Sequence, residues 1–302
     1  LKKTRRASTV ALWGRSAGAV AALLTAVALF AGGFVAARFH FEAGGTPADV
    51  TLLRYAPAGL LLAPLALGAA RRVGVGRACV LALGQGLPFG GFVFIGMQGA
   101  PISHGSTIVP GLGLVLGVLG AAAFLGDRLT AGRLAGLALG IAGIAALTGP
   151  SLLGGGEGVW WAELAYMASG TLVAVYTLLV KRWAVRPLDG AALAMTFSLP
   201  LCVVVAMAFE TRPAAVGELA TVAQALYQGV AFAIGGVVLF SYAIARLGPV
   251  ASVAATPLLP MIASGLDHLI FDAPLSPAAG LALALMIGCV VLLSREVPPR
   301  PG

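Results

Sequence analysis

The sequence is built from apolar, uncharged stretches of roughly 20 residues that recur along its whole length. Because a helix rises about 1.5 Å per residue, one such stretch is long enough to cross a hydrocarbon core about 30 Å thick. Only 10% of the 302 residues are charged, which is too little polar surface to cover a globule in water. Alternating apolar and polar segments of the kind that transmembrane strands require are absent. The sequence therefore predicts an all-α membrane protein.

Ten membrane spans are predicted, numbered here in chain order. The stretch 149–158 is rich in glycine and is expected to be a flexible outer linker between spans 5 and 6. It divides the chain into two parts of five spans each, 1–150 and 151–302. Because five is an odd number, the second part starts on the opposite side of the membrane, so a repeat of the first part is inverted. The predicted spans cover residues 17–37, 50–69, 78–98, 102–125, 132–149, 158–180, 187–209, 222–245, 249–271 and 276–294.

The basic residues indicate how these spans are oriented. Of the 19 lysines and arginines, all but Arg38, Arg54 and Arg212 fall on the side that holds both termini. The positive-inside rule places that side in the cytoplasm, and we expect a multi-pass protein of the cell inner membrane. The net charge of +8 lies in short clusters between apolar stretches, which favours anionic lipid as the partner and not nucleic acid. The three cysteines lack metal-binding spacing, and neither a metal nor a cofactor is expected.

Three groups of residues carry a resemblance to a known family. The first is Phe30-Ala-Gly-Gly-Phe-Val-Ala36 in span 1, followed by Thr51-Leu-Leu-Arg-Tyr55 in span 2. The second is Phe124-Leu-Gly-Asp-Arg-Leu-Thr130, which follows span 4. The third combines Leu247-Gly-Pro-Val-Ala251 with Asp272-Ala-Pro-Leu-Ser276. Together they resemble the EamA-type ten-helix members of the drug/metabolite transporter superfamily, although Asp127 stands where that family usually has glutamate.

This resemblance implies ten helices in two inverted five-helix repeats around a central cavity, and a secondary transporter that exports small metabolites. Uptake of a vitamin or a nucleoside by the same fold remains an alternative, and so does a membrane scaffold that transports nothing. An enzyme is not expected, because no phosphate-binding loop or catalytic constellation is present.

Neutral polar and aromatic side chains within the spans are the candidate substrate contacts. In span 3, the glycines and the proline around Gln85 are expected to interrupt the helix and to turn backbone groups toward a cavity. Amides, hydroxyls and aromatic rings suit an amino acid, although small residues in membrane helices also serve close packing. The expected substrate-binding residues are Gln85, Phe89, Phe92, His104, Tyr166, Ser169, Phe232 and Tyr242.

Ionisable side chains within the spans form a second set of candidates, because a charge at the bilayer centre costs about 2.5–3.5 kcal/mol. We expect them near the outer ends of their helices, as a gate or as ion pairs such as Arg54 with Asp267. For Glu163, the adjacent Trp160 and Trp161 favour a position among the lipid headgroups instead. The expected gating or ion-pair residues are Arg54, Glu163, Asp267 and His268.

Span 5 carries glycine at every fourth residue, at Gly132, Gly136 and Gly140. This spacing is typical of helices that approach one another closely in a membrane. We interpret it as a packing face, either within the chain or in a homodimer.

Overall fold

The computed structural model describes residues 2–152, 159–247, 252 and 255–295. Within these residues the regular structure is entirely helical, as predicted. The described residues contain nine helical spans long and apolar enough to cross a membrane, two of which consist of two helices each, and Leu258–Phe271 is a shorter apolar helix. The chain is therefore a multi-pass α-helical membrane protein.

Twelve helices are labelled here along the described residues. In the first part these are α1 (Lys2–Glu42), α2 (Pro47–Val73), α3 (Val75–Gln85), α4 (Leu87–Gly96), α5 (Ile102–Leu125) and α6 (Ala131–Leu152). In the second part they are α7 (Trp160–Arg182), α8 (Pro187–Thr196), α9 (Leu199–Ala208), α10 (Glu218–Leu247), α11 (Leu258–Phe271) and α12 (Pro277–Arg295). A short 3₁₀ turn at Pro213–Val216 precedes α10, and α10 contains a π-helical segment, Leu226–Gly236.

The observed helices agree with most predicted spans, and three of the differences concern where a span begins or ends. Helix α1 continues to Glu42 instead of ending at residue 37, because Arg38 bonds to Glu42 one turn later and stays helical. Helix α6 continues to Leu152, so the predicted linker begins later than expected, and its residues 153–158 lie outside the described residues. Most of the first part of predicted span 9 also lies outside them, and α11 begins at Leu258.

Two of the spans consist of broken helices. Span 3 divides into α3 and α4 at Gly86, where the glycines and the proline predicted an interruption. Span 7 divides into α8 and α9 at Phe197 and Ser198, which was not predicted. The two breaks are in contact, because the Leu87 N–H donates to Ser198 Oγ at 2.8 Å. The hydroxyl gives the buried Leu87 N–H group a hydrogen-bond partner, which water cannot supply inside the hydrocarbon region.

The helices of the two parts pack against one another. Helix α2 packs on α8, and α6 packs on α12. Helix α7 packs on α4 and α5, while α1 packs on α10 and α11. Glycines permit close approach in α6, where a Cβ on Gly136 would lie 3.2 Å from the Cys289 carbonyl oxygen of α12. Gly136 of this spacing thus serves packing within the chain.

Charged residues at the helix ends also join the two parts. Near one end of the bundle, Arg72 bonds to Asp189 and Lys181 bonds to Asp127, each at 3.0 Å. Near the other end, Arg38 bonds to Asp267 at 2.7 Å. Each of these pairs joins residues that the ten-span topology predicts on the same side of the membrane.

Candidate functional site

The candidate site centres on Arg54 of α2, whose side chain is almost completely buried. Its Nε and Nη2 both donate to Oε1 of Gln228 in α10, at 3.0 and 2.5 Å. Gln228 is itself fully buried, and its Nε2 donates to the Gly33 carbonyl oxygen of α1 at 2.8 Å. These hydrogen bonds join α1 and α2 of the first part to α10 of the second. We call Arg54, Gln228 and Gly33, together with the rings of Phe94 and Phe232, the Arg54 network.

Two phenylalanine rings cover the guanidinium of Arg54. Its Cζ lies 3.9 Å from the centroid of the Phe232 ring and 4.5 Å from that of Phe94. Cation–π contacts of this kind contribute about 2 kcal/mol or more where water is excluded. Among the described residues, Arg54 makes no ion pair with an aspartate or glutamate. The positive charge is therefore stabilised by a neutral amide and by aromatic rings.

The close approach of α1 to α10 in this network depends on glycine. A Cβ on Gly33 would lie 2.4 Å from Cδ2 of Phe232, and one on Gly32 would lie 2.1 Å from the Tyr227 hydroxyl. Real Cβ atoms do not approach other atoms so closely, so larger residues would separate the helices. The pair of glycines in span 1 thus lets Gln228 reach the backbone of α1.

The expected ion pair between Arg54 and Asp267 does not form. Asp267 instead accepts a hydrogen bond from Nη1 of Arg38 at 2.7 Å. The prediction was wrong because α1 extends further than expected, which brings Arg38 beside α11. The guanidinium of Arg38 also lies over the Phe271 ring, 4.5 Å from its centroid. Asp267 is therefore part of an ion pair that holds α11 against α1.

Glu163 lies in the protein interior, and its expected position among lipid headgroups is wrong. It is fully buried, and His104 Nδ1 of the adjacent helix α5 lies 2.5 Å from its Oε1. Its other oxygen, Oε2, has no hydrogen-bond partner within the described part of the chain. Trp160 and Trp161 are exposed, as an interfacial belt requires. The nearby histidine explains the difference, because it gives the carboxyl group a partner that the sequence did not reveal.

Tyr166 and Ser169 are buried and bind backbone carbonyl groups. The Tyr166 hydroxyl donates to the Ala100 carbonyl oxygen at 3.3 Å, and the Ser169 hydroxyl donates to that of Phe89 at 3.0 Å. The first bond holds α7 against the connection between α4 and α5, and the second holds it against α4. In this structure the two residues are engaged in helix packing.

The remaining predicted residues lie on α3, α4, α10 and α11. Gln85 is half-buried at the end of α3, and Phe89 is half-buried beside the break. Phe92 and Tyr242 are 38% and 40% exposed, and Tyr242 lies beneath the guanidinium of Arg246. His268 is exposed, with its Nδ1 2.9 Å from the Ala273 carbonyl oxygen. Of the predicted substrate residues, it is Phe232 that the structure brings to Arg54.

Three members of the Arg54 network are not among the expected substrate-binding or gating residues. Gln228 was detectable, because it is an amide inside an apolar span and stands four residues before Phe232. Phe94 carries no such signal, since many apolar residues in these spans are equivalent in sequence. Gly33 lies in the small-residue segment of span 1, but its partner depends on which helices meet.

Comparison with known proteins supports the fold and leaves the family open. No protein-family profile and no curated protein matches this sequence. Among solved structures, one crystal structure of a protein matches with a TM-score of 0.61 and 21% sequence identity. The match covers 95% of this chain and 100% of the other. At that identity the similarity shows a shared fold and nothing more.

Proposed function

We propose that this protein is a secondary transporter that exports a small metabolite with a carboxylate group, namely an amino acid, across the cell inner membrane. The observation that carries the proposal is the buried guanidinium of Arg54, which no carboxylate neutralises in the described part of the chain. A buried charge in a membrane protein is costly unless it is paired. A substrate carboxylate supplies the missing negative charge and fits the planar donors of arginine.

The position of the Arg54 network supports an alternating-access mechanism. The network lies where α1 and α2 of the first part meet α10 of the second. Transporters with repeated halves bind substrate at such an interface and move one half against the other. Gln228 and Phe232 also lie in the π-helical segment of α10, and π-helical turns are frequent at functional sites. In the proposed mechanism the substrate carboxylate replaces Gln228 Oε1 as the partner of Arg54.

The pattern of helix contacts supports two inverted five-helix repeats, 1–150 and 151–302. In such an arrangement spans 1–5 correspond to spans 6–10, and a two-fold axis exchanges one helix contact with another. The contact of α5 with α7 then corresponds to that of α11 with α1, and the contact of α4 with α7 corresponds to that of α10 with α1. The same axis maps the contact between α2 and α8 onto itself, and likewise the contact between α6 and α12. Both termini are cytoplasmic in this proposal, because the basic residues lie on that side.

Counterflow in proteoliposomes tests the proposed substrate contact. Each amino acid is compared with its amide, in which the carboxylate is replaced by a neutral group. The native protein is expected to prefer the acid, and Arg54→Gln to lose roughly a hundredfold in acid transport, because removing one partner of a buried charge pair costs about 2–5 kcal/mol. Arg246→Gln is the matched control, because it removes an arginine that lies outside the network.

The comparison of acid with amide separates binding from folding. If Arg54→Gln transports less but keeps the native preference for the acid, Arg54 does not bind the carboxylate and the proposal fails. Transport of neutral nucleosides in place of amino acids would favour the uptake alternative. If the folded native protein moves none of these solutes in counterflow, the result favours a scaffold that transports nothing.

A further inference from the structure

A second polar site lies at the end of the bundle opposite the Arg38–Asp267 pair. It is a cavity of about 430 Å³ between the turn that joins α2 to α3 and the turn that joins α7 to α8. Arg72 and Arg77 line it from the first part of the chain, and Trp183, Arg186 and Asp189 line it from the second. We call it the basic cavity.

The charges in the basic cavity do not balance. Asp189 accepts hydrogen bonds from Arg72 Nη2 at 3.0 Å and from Arg186 Nε and Nη2 at 2.8 and 3.1 Å. Hydrogen bonding to Asp189 raises the pKa of the Arg186 guanidinium, which stays charged at physiological pH. The guanidinium of Arg77 lies over the Trp183 ring, 5.3 Å from its centroid. Three arginines against one aspartate leave an excess of two positive charges.

The arginines remain available to a ligand. The side chains of Arg72 and Arg186 are 55% and 69% exposed, although both bond to Asp189. Asp189 is buried, and it accepts one hydrogen bond from Arg72 and two from Arg186, fewer than the five N–H donors of each guanidinium group. Arginine presents planar, paired donors, which match the oxygens of a phosphate group. The cavity is therefore suited to a phosphate group.

The surroundings of the basic cavity favour a lipid as the source of that phosphate. Helix α3, which carries Arg77, also exposes Val75 at its start and Val80 and Leu83 further along its length. Exposed apolar side chains of a spanning helix face acyl chains, so a headgroup in the cavity has its acyl chains beside apolar surface. The basic end of the bundle is the proposed cytoplasmic end, and basic pockets between helices on that side bind anionic headgroups. We propose that the basic cavity binds the headgroup phosphate of an anionic phospholipid.

This lipid joins the two parts of the protein at one end. Its phosphate contacts Arg72 and Arg77 from the first part and Arg186 from the second. A ligand that binds one arrangement of the two parts more tightly stabilises that arrangement. The inference does not depend on the proposed transport activity, because it concerns a different site and a different ligand.

Lipid titration of the purified protein tests the inference. The protein in neutral detergent is titrated with phosphatidylglycerol or phosphatidylcholine, and the apparent melting temperature and the bound lipids in native mass spectrometry are recorded. Phosphatidylglycerol is expected to raise the melting temperature of the native protein, and phosphatidylcholine is not. In the variant Arg77→Gln/Arg186→Gln, the affinity for phosphatidylglycerol is expected to fall tenfold or more. Arg128→Gln/Arg133→Gln is the matched control, because it removes the same charge from the connection between α5 and α6 and the first turn of α6, at the same end.

The outcomes separate a lipid from a free anion. Inorganic phosphate at the same concentration forms the second arm of the titration. Inorganic phosphate could raise the melting temperature as much as phosphatidylglycerol does, with the rise lost in Arg77→Gln/Arg186→Gln. The cavity is then a site for free phosphate, and the proposal of a lipid is overturned. If both double variants bind phosphatidylglycerol as the native protein does, the basic cavity is not the binding site. The melting temperature of each variant without lipid shows whether it is folded.

Discussion

Arg54 and Glu163 are both buried charged residues, and their surroundings stabilise them in different ways. Arg54 is held by an amide and by two aromatic rings. Glu163 depends on one contact with His104, and its second oxygen lacks a hydrogen-bond partner among the described residues. A buried polar group that loses its partner costs about 1–3 kcal/mol. Of the two buried charged residues, Glu163 is therefore the more sensitive to loss of a partner.

A double-mutant cycle measures this contact. We expect His104→Ala to lower the apparent melting temperature clearly, because it leaves the Glu163 carboxyl group buried without a partner. Glu163→Ala is expected to lower it as well, and the double variant to lose less than the sum of the two single losses. Thermal unfolding of the purified variants in detergent provides the measurement. Strictly additive losses would show that the two side chains do not stabilise each other.

The two helix breaks show how far sequence determines the individual elements. The break at Gly86 was predictable, because glycine and proline stand together in an apolar span. The break at Phe197 and Ser198 had a weaker signal in Pro200, which removes one helical hydrogen bond. The π-helical segment of α10 contains no proline, and its local sequence does not distinguish it from an ordinary α-helix. Its conformation depends on packing against other helices.

The contact between the two breaks gives a prediction for the elements. Ser198→Ala removes the hydroxyl that accepts the Leu87 N–H, which leaves a buried donor unsatisfied. We expect a loss of about 1–3 kcal/mol in stability, measured as a lower midpoint of unfolding in denaturant. Ser294→Ala is the control, because that hydroxyl is exposed and bonds to a carbonyl group within its own helix. Equal midpoints for the two variants would contradict the proposed role of Ser198.

At the scale of the whole molecule, the membrane class was predictable and the site partners were not. Few charges and repeated apolar stretches were sufficient to predict a multi-pass helical protein. Arg54 was also identifiable, because a charge inside an apolar span is conspicuous. Its partner depends on which helices meet, and α1 brought Arg38 to Asp267 while α10 brought Gln228 to Arg54. Such contacts between distant parts of the chain are determined by tertiary packing.

The proposed inverted arrangement predicts that corresponding connections lie on opposite sides of the membrane. The connection between α5 and α6 contains Arg128, and its counterpart between α11 and α12 contains Ser276; both residues are exposed. In a variant whose native cysteines are replaced, we expect Ser276→Cys to react with an impermeant maleimide in intact cells. Arg128→Cys is expected to react only after the membrane is permeabilised, because the basic side is cytoplasmic. Labelling of both from the same side would contradict the inverted repeat, whereas exchanged sides would keep the repeat and reverse the orientation.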